Sequence, residues 1–220
     1  MAYRVKEMFH TLQGEGMNTG RSAVFCRFTG CNLWNGREAH RAEAVCRFCD
    51  TDFVGTDGPG GGVFADASAL AAAAAHLWAS ATGDPPEDDG VRALVVCTGG
   101  EPLLQLDPPA AHALHGAGFE VAIETNGTIP VPEGIDWVCM SPKAGSDVVV
   151  RSGDELKLVY PQEGLHPEQF DPGEWAYEHF LLQPMDGPDV VANTSAAVEY
   201  CRAHPHWRLS LQTHKLLGIP

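Results

Sequence analysis

Short apolar segments that end in polar residues or glycine recur along the chain. They predict eight β-strands, at Tyr3–Phe9, Ala23–Phe28, Ala93–Cys97, Glu120–Ile123, Trp137–Met140, Glu155–Tyr160, His179–Leu182 and Trp207–Leu211. Three helices are expected between them: Asp66–Ser80, a helix with Asp107 as its cap and Pro108 in its first turn, and Asn193–Ala203. Two loops are expected: His10–Gly16, in which two glycines end the first strand, and Gly83–Gly90, which is acidic and broken by prolines.

Strands that alternate with helices are typical of parallel β/α units, whose strands end at the active face of a barrel. About six core strands are too few for the usual eight. We therefore predict an α/β fold that is an incomplete, open (β/α)6-type barrel with shortened helices. A flavodoxin-like doubly wound sheet is the alternative fold. The 220 residues, of which 44% are hydrophobic, fit a single domain over residues 1–220.

Composition narrows the class of partner. A formal net charge of -15 argues against binding to nucleic acid or to an anionic membrane, so we expect a small-molecule partner. The N-terminus has no apolar signal core and no run is long enough to span a membrane, which predicts a cytoplasmic protein. Cys26, Cys97, Cys139 and Cys201 lie in apolar runs, and we interpret them as buried small side chains.

The remaining cysteines, Cys31, Cys46 and Cys49, have the spacing C-x14-C-x2-C. Thiolates at such a spacing can bind zinc or an iron-sulfur cluster. Three protein ligands leave one metal position open for chemistry, whereas a structural zinc site usually closes with four. His40 lies between the cysteines and could complete a Cys3His zinc site, in which case the chain would be a zinc-binding interaction module.

Several motifs in order along the chain resemble the radical S-adenosylmethionine (SAM) superfamily and, within it, the 7-carboxy-7-deazaguanine synthase family. The resemblance covers nearly the whole chain. Its motifs are Phe9-x-Thr-Leu-Gln-Gly-Glu-Gly16, Phe25-x-Arg-x-x-Gly-Cys-Asn-Leu-Trp34, Cys46-x-x-Cys-Asp-Thr51, Thr98-Gly-Gly-Glu-Pro102, Glu124-Thr-Asn-Gly127, Ser141-Pro-Lys143 and Gln212-x-His-Lys215.

The chain departs from the superfamily pattern C-x3-C-x2-C at one place. Asn35 stands where the second cysteine would be, and residues Asn35–Val45 look like an insertion before Cys46. A longer loop costs little free energy to close, so the cluster assignment is kept. The insertion puts any role of its own residues in doubt, including that of His40.

The resemblance implies that Cys31, Cys46 and Cys49 bind a 4Fe-4S cluster that cleaves SAM to a 5'-deoxyadenosyl radical. Gly99 and Gly100 would let the backbone approach the methionine moiety, and Glu101 would accept a hydrogen bond from its ammonium. The other SAM contacts implied by the resemblance are Phe48, Cys49, Asp50, Ser141, Pro142, Lys143, Gln183, Pro184, Met185 and Asp186.

The implied reaction converts 6-carboxy-5,6,7,8-tetrahydropterin to 7-carboxy-7-deazaguanine with loss of ammonia, a carbon-nitrogen lyase step of queuosine and deazapurine biosynthesis. Thr51 would hold Mg²⁺, which takes few protein ligands. The implied substrate contacts are Leu12, Gln13, Gly14, Glu15, Arg27, Thr98 and Pro220. The resemblance also implies a homodimer and a one-electron reductant such as flavodoxin. A glycyl-radical-enzyme activase is the alternative enzyme.

Overall fold

The computed structural model describes residues 1–88 and 91–220. Residues 89 and 90, which end the predicted loop Gly83–Gly90, lie outside the described residues. The described chain forms strands β1 Tyr3–Leu12, β2 Ser22–Phe28, β3 Gly62–Phe64, β4 Glu87–Asp88, β5 Val91–Gly99, β6 Phe119–Thr125, β7 Trp137–Met140, β8 Ser152–Tyr160, β9 Ala176–Pro184 and β10 Trp207–Leu209. The α-helices are α1 Ala67–Thr82, α2 Pro108–Gly116, α3 Val190–Ala203 and α4 Thr213–Leu217, and the 3-10 helices are Glu38–Glu43, Pro102–Leu104 and Pro167–Gln169.

The strands form one open sheet in the order β10-β9-β8-β7-β6-β5-β2-β1-β3, with β4 paired to β5. Neighbours from β2 to β10 run parallel, whereas β1 pairs antiparallel with both β2 and β3. From β5 to β10 the order follows the sequence without reversing, unlike the order of a doubly wound sheet. The prediction of an incomplete, open barrel is confirmed. Its helices are indeed missing in places, since the described residues between β6 and β8 contain none.

Alternation along the strands separates an outer, apolar face from an inner, partly polar face. Val24, Cys26 and Phe28 of β2 pack in the main core together with Leu70 of α1 and Leu114 of α2. Successive side chains of a strand point to opposite faces, so Arg27 is directed away from this core, as predicted. The same alternation places Thr98, Glu124 and Lys157 on the inner face.

Local signals fixed most helix starts correctly. Asp66 accepts a hydrogen bond from Ala69 N at 2.9 Å and caps α1, and Asp107 accepts one from Ala110 N at 3.1 Å and caps α2. Helix α3 was predicted too short, because it begins at Val190 instead of Asn193. The buried state of Cys26, Cys97 and Cys139 is confirmed, while Cys201 is half-buried.

The predicted loop from His10 to Gly16 begins too early, because β1 continues through Leu12. The extension pairs with β2, and Leu12 lies opposite Ser22. Cross-strand hydrogen bonds thus hold residues that the local sequence marks as loop. The turn that follows is closed by Gln13 N, which donates to Arg21 O at 2.8 Å. None of the helices within residues 1–88 and 91–220 combines the length and apolar composition needed to cross a membrane.

Gly100 packs so tightly that it should be intolerant of a side chain. A Cβ there would overlap the Gly30 carbonyl and lie 2.8 Å from the Cys31 Cβ. We expect Gly100→Ala to lower the free energy of unfolding by about 1–3 kcal/mol, as overpacking does. Urea unfolding followed by circular dichroism measures this.

Gly116→Ala is the matched control, because a Cβ at Gly116 at the end of α2 meets open space. That variant should be as stable as the unaltered chain or up to about 1 kcal/mol more stable. Equal stability of the two variants would contradict the packing argument.

Candidate active site

A cavity of about 490 Å³ lies at the carboxyl ends of the parallel strands. This is the edge of the sheet where the sequence predicts an active face. The strands β2, β5, β6, β8 and β9 each direct side chains into it. Most predicted site residues line this one cavity, namely Leu12, Gln13, Gly14, Glu15, Arg27, Cys46, Phe48, Cys49, Asp50, Thr51, Thr98, Gly99, Gly100, Ser141, Lys143, Gln183, Pro184, Met185, Asp186 and Pro220.

Three predicted site residues, Cys31, Glu101 and Pro142, do not line this cavity. Cys31 lines a neighbouring cavity of about 410 Å³ together with residues of the insertion, among them His40. Glu101 is fully buried. Its carboxylate accepts hydrogen bonds from Leu103 N at 3.0 Å, Thr125 Oγ1 at 2.8 Å and Asn126 N at 2.8 Å. A direct contact of Glu101 with a ligand stays a prediction.

The cysteines of the C-x2-C pair interact with each other. Interaction with the neighbouring Cys46 thiol lowers the pKa of Cys49, against the opposing effect of burial. The same interaction, together with burial, raises the pKa of Cys46. Burial also raises the pKa of Cys31, although Leu33 N donates to its Sγ at 3.4 Å. A lowered pKa in such a pair favours one thiolate, the form in which cysteine binds a metal.

The closed zinc site is not assembled in the described part of the chain. His40 is exposed, and its Nδ1 lies 2.6 Å from Asn35 Nδ2. Residues 1–88 and 91–220 contain no group of three His, Cys, Asp or Glu side chains able to hold one metal ion. An iron-sulfur cluster makes a different demand, because each cysteine binds a separate iron. The donor set of three thiols fits such a cluster.

The two glycines at the end of β5, Gly99 and Gly100, approach the backbone at the end of β2. Gly99 has φ of 136°, and a Cβ on it would overlap the Phe28 carbonyl. Gly100 N donates to Phe28 O at 3.4 Å, and Glu101 N donates to Gly30 O at 2.9 Å. Because these glycines have no side chains, the end of β5 can pack against the start of the loop between β2 and β3. This loop carries the three cysteines and is called the cysteine loop below. Gly99 and Gly100 also line the cavity.

A buried lysine on β8 organises the acidic residues of the cavity. Lys157 Nζ lies 2.5 Å from Glu15 Oε2 and 3.5 Å from Glu124 Oε1. Burial alone would lower the pKa of Lys157, but Cys139 and the carboxylates around it raise that pKa well above the ordinary value. Burial opposes ionisation of Glu15, yet Lys157 and a hydrogen bond from Gln212 Nε2 at 2.9 Å lower its pKa to about 2. Lys157 and Glu15 therefore form a buried ion pair, and amide side chains donate further hydrogen bonds to the Glu15 carboxylate.

The Arg27 side chain is held from one side. Its Nε lies 2.7 Å from Glu7 Oε1, and the two residues are directly opposite each other in the β1–β2 pair. Both side chains line the cavity. Within the described residues Arg27 donates through Nε, and no partner is found there for its terminal nitrogens, which could bind an anion.

The C-terminal segment crosses the open side of the cavity. Thr213 N donates to Gly14 O at 2.9 Å, and Thr11 Oγ1 donates to Pro220 O at 2.9 Å. Lys215 Nζ lies 2.7 Å from Asp50 Oδ2 and 2.6 Å from Asp186 Oδ2. Helix α4 therefore joins the cysteine loop to the end of β9.

Sequence reasoning missed several residues of the cavity. Lys157 had a visible signal, because Glu155 and Lys157 alternate with apolar residues in a strand that is otherwise hydrophobic. Glu124 and the segment Gln212–Lys215 were noted as motifs without a site role. The lining residues that were not predicted are Glu7, Phe9, Phe25, Asp52, Glu124, Thr125, Asn126, Lys157, Val159, Gly187, Gln212, His214 and Lys215.

The Glu15–Lys157 pair predicts a specific pH dependence of stability. The folded-state pKa of Glu15 is below its ordinary value of 4.5. Its contribution to stability is thus complete above that pH and is lost as the pH falls toward about 2. We expect Glu15→Gln to lower the free energy of unfolding by about 3–5 kcal/mol at neutral pH, because a buried charge loses its partner.

The difference between the unaltered protein and Glu15→Gln should shrink as the pH falls from 4.5 toward 2. Urea unfolding at several pH values measures it. Glu163→Gln removes a carboxylate from an exposed position and should parallel the unaltered protein throughout. A constant difference across the acid range would contradict the assignment.

Comparisons with known proteins were made on the sequence and on the fold. No protein-family model matches the chain. The 7-carboxy-7-deazaguanine synthases of Bordetella pertussis and Caulobacter vibrioides are each 63% identical to it over 220 residues, which cover 100% of both chains.

The crystal structure of QueE from Escherichia coli superimposes with a TM-score of 0.69 and 28% sequence identity, covering 96% of this chain and 94% of that one. Full-length identity at this level, joined to a similar fold, shows that the chain belongs to the 7-carboxy-7-deazaguanine synthase family.

Proposed function

We propose that this protein is a radical SAM carbon-nitrogen lyase that converts 6-carboxy-5,6,7,8-tetrahydropterin to 7-carboxy-7-deazaguanine with loss of ammonia, and that residues 1–220 act as a single domain. One observation carries the proposal: Cys46 and Cys49 line the same cavity as Gln13, Glu15 and Arg27. A redox centre and a polar pocket for a small ring therefore share one enclosed space.

Cys31, Cys46 and Cys49 would hold the 4Fe-4S cluster. When bound, SAM and the reduced cluster supply the radical that abstracts a hydrogen atom from the substrate. The chain orients the cofactor through the backbone of Gly99 and Gly100 and through Phe48, Asp50, Ser141, Pro142, Lys143 and Gln183–Asp186.

The Lys143 ammonium is held beside this part of the cavity. It donates to Ser141 O and to Ser141 Oγ, both at 2.7 Å. Its Nζ lies 6.0 Å from the centre of the Phe48 ring. Burial lowers the pKa of Lys143, so its charge is less well hydrated than that of a surface lysine. This supports a role in binding the polar cofactor.

Polar side chains of the cavity would form hydrogen bonds with the pterin ring. Gln13 Nε2 donates to Glu124 Oε1 at 3.1 Å, so an amide and a carboxylate lie side by side and can match adjacent donors and acceptors on a ring edge. The free end of the Arg27 guanidinium would pair with the substrate carboxylate. Leu12, Gly14, Thr98 and Pro220 line the same cavity and would complete the pocket.

Thr51 would hold Mg²⁺ against the substrate. Its neighbours Asp50 and Asp52 are engaged by lysines, since Asp50 pairs with Lys215 at 2.7 Å and Asp52 with Lys6 at 2.9 Å. The Thr51 hydroxyl is the side-chain oxygen of this segment that carries no charge and pairs with neither lysine, and it would bind the cation. Mg²⁺ keeps several waters and needs few protein ligands, so one hydroxyl with substrate oxygens fits its chemistry.

The proposed reaction needs a one-electron reductant such as flavodoxin, and we propose a homodimer in the cytoplasm. Cys26, Cys97 and Cys139 are buried free thiols, a form of cysteine that is usual in a reducing compartment. Leu216 and Leu217 of α4 are 77% and 65% exposed and are candidates for the dimer interface.

Anaerobic reconstitution with iron and sulfide tests the function directly. The loaded protein is incubated with dithionite, SAM, Mg²⁺ and the carboxylated tetrahydropterin, and the products are identified by mass spectrometry. Formation of 7-carboxy-7-deazaguanine is the expected result. Cleavage of SAM without consumption of the pterin would contradict the substrate, and failure to form any cluster would contradict the reaction class.

Thr51→Ala should raise the Mg²⁺ concentration required for half-maximal turnover by about tenfold, since one metal-ligand contact is lost. The visible absorbance of the cluster should not change, because Thr51 is not a cluster ligand. Thr51→Ser keeps the hydroxyl and should retain most of the Mg²⁺ response. Loss of cluster absorbance in Thr51→Ala would refute this division of roles.

Arg27→Ala should raise KM for the pterin roughly 10-fold to 100-fold, because a hydrogen bond to a charged group contributes about 1.5–3 kcal/mol. SAM cleavage without substrate should continue. Arg21→Ala is a suitable control, since Arg21 also pairs with a glutamate, Glu120 at 2.7 Å, but outside the cavity. An unchanged KM in Arg27→Ala would count against the proposed carboxylate contact.

A further inference from the structure

The inserted segment Asn35–Val45 has no part in the chemistry proposed above. It contains the 3-10 helix Glu38–Glu43, none of whose residues is buried. Its base is closed by Leu33 O, which accepts hydrogen bonds from Val45 N at 3.1 Å and Cys46 N at 3.4 Å. One side chain of this segment, that of Arg41, reaches back to the segment that carries the cysteine pair.

Arg41 contacts three separate parts of the cysteine loop. Its Nη1 donates to Arg47 O at 2.9 Å and to Cys49 O at 3.0 Å. Its guanidinium carbon lies 4.2 Å from the centre of the Trp34 ring. Its Nε is 2.8 Å from both carboxylate oxygens of Glu38.

The Trp34 ring, which Arg41 contacts, is itself held in place by packing. Trp34 is 8% exposed and meets Phe53 edge-on, with ring centres 5.6 Å apart. A planar guanidinium can stack on an aromatic face and donate in its own plane at the same time, which an ammonium cannot do. Arg41 therefore links the residues after Cys31 to the backbone of the Cys46–Cys49 segment.

The charge of Arg41 has a second consequence. Its hydrogen bond to Cys49 O places a permanent cation next to the backbone of a cluster ligand. Reduction adds negative charge to a cluster, and nearby charges and hydrogen bonds set its reduction potential. A fixed cation at this place favours the reduced form.

We propose that Arg41 is a positioning residue for the iron-sulfur cluster: it clamps the Cys46–Cys49 segment and makes the cluster easier to reduce. The inference rests on the proposed cluster and explains the insertion as the support that presents Arg41. It assigns two separable tasks to one side chain, a geometric task that needs the guanidinium and an electrostatic task that needs only the charge.

Two readouts on the reconstituted protein separate these tasks. The first is the midpoint potential of the cluster, followed by the electron paramagnetic resonance signal during a redox titration. The second is the rate at which a chelator removes iron from the oxidised cluster. Arg41→Gln should lower the ratio of reduced to oxidised cluster at a fixed potential about tenfold, which for a one-electron couple is about 59 mV.

Arg41→Lys keeps the positive charge but lacks the planar guanidinium and its set of N–H donors. It should retain the midpoint potential and release iron about tenfold faster, the size of effect that residues supporting a metal ligand commonly show. Arg37→Gln is the matched control, since Arg37 is an exposed arginine of the same insertion. It should change neither readout.

An unaltered midpoint potential in Arg41→Gln together with an unaltered release rate in Arg41→Lys would overturn the inference. If Arg41→Gln does not fold, the release rate of Arg41→Lys decides alone. Absence of a cluster in the unaltered protein would instead refute the proposed function. A normal cluster that is indifferent to Arg41 would refute only this inference.

Discussion

The ammonium of Lys157 is the interaction on which the arrangement of the cavity depends. It is nearly inaccessible to solvent, with its side chain 4% exposed, and it faces Glu15 and Glu124. Its charge offsets the repulsion between these two carboxylates and lowers the pKa of Glu15 to about 2. Amides donate hydrogen bonds to both carboxylates, Gln212 to Glu15 and Gln13 to Glu124. The chain carries a net charge of -15, so buried cations of this kind are what allow acidic groups to line an enclosed cavity.

The open sheet imposes a second constraint, because a barrel that does not close leaves one side of its cavity unprotected. The C-terminal segment covers that side. Hydrogen bonds join Thr213 to Gly14 and Pro220 to Thr11, so both ends of the chain contribute to one wall. Lys215 adds ion pairs to Asp50 and Asp186, which lie in the cysteine loop and after β9. Exclusion of water, which radical chemistry requires, thus depends on the last residues of the chain.

Local patterns predicted the elements well and the long-range pairs poorly. The caps Asp66 and Asp107, the strand ends and the cysteine spacing are each contained in a few adjacent residues, and the structure confirms the two caps and the open sheet. The pair of Glu7 with Arg27 depends on the register of β1 against β2, which no local pattern reveals. The same holds for Leu12, which the sequence marks as loop and the pairing with Ser22 makes strand.

Gly99, Gly100 and the insertion Asn35–Val45 each help to fix the cysteine loop in place. A loop that holds three cysteines must be fixed at its start, its middle and its end. At the start, Gly99 and Gly100 allow the end of β5 to bond to Phe28 and Gly30, and at the end Lys6 Nζ donates to Val54 O at 2.9 Å. The extra length of the loop costs little closure entropy, but its 3-10 helix Glu38–Glu43 has no buried residue that could anchor the middle. Arg41 anchors the middle of the loop to the rest of the same loop, because its partners Trp34, Arg47 and Cys49 all belong to it.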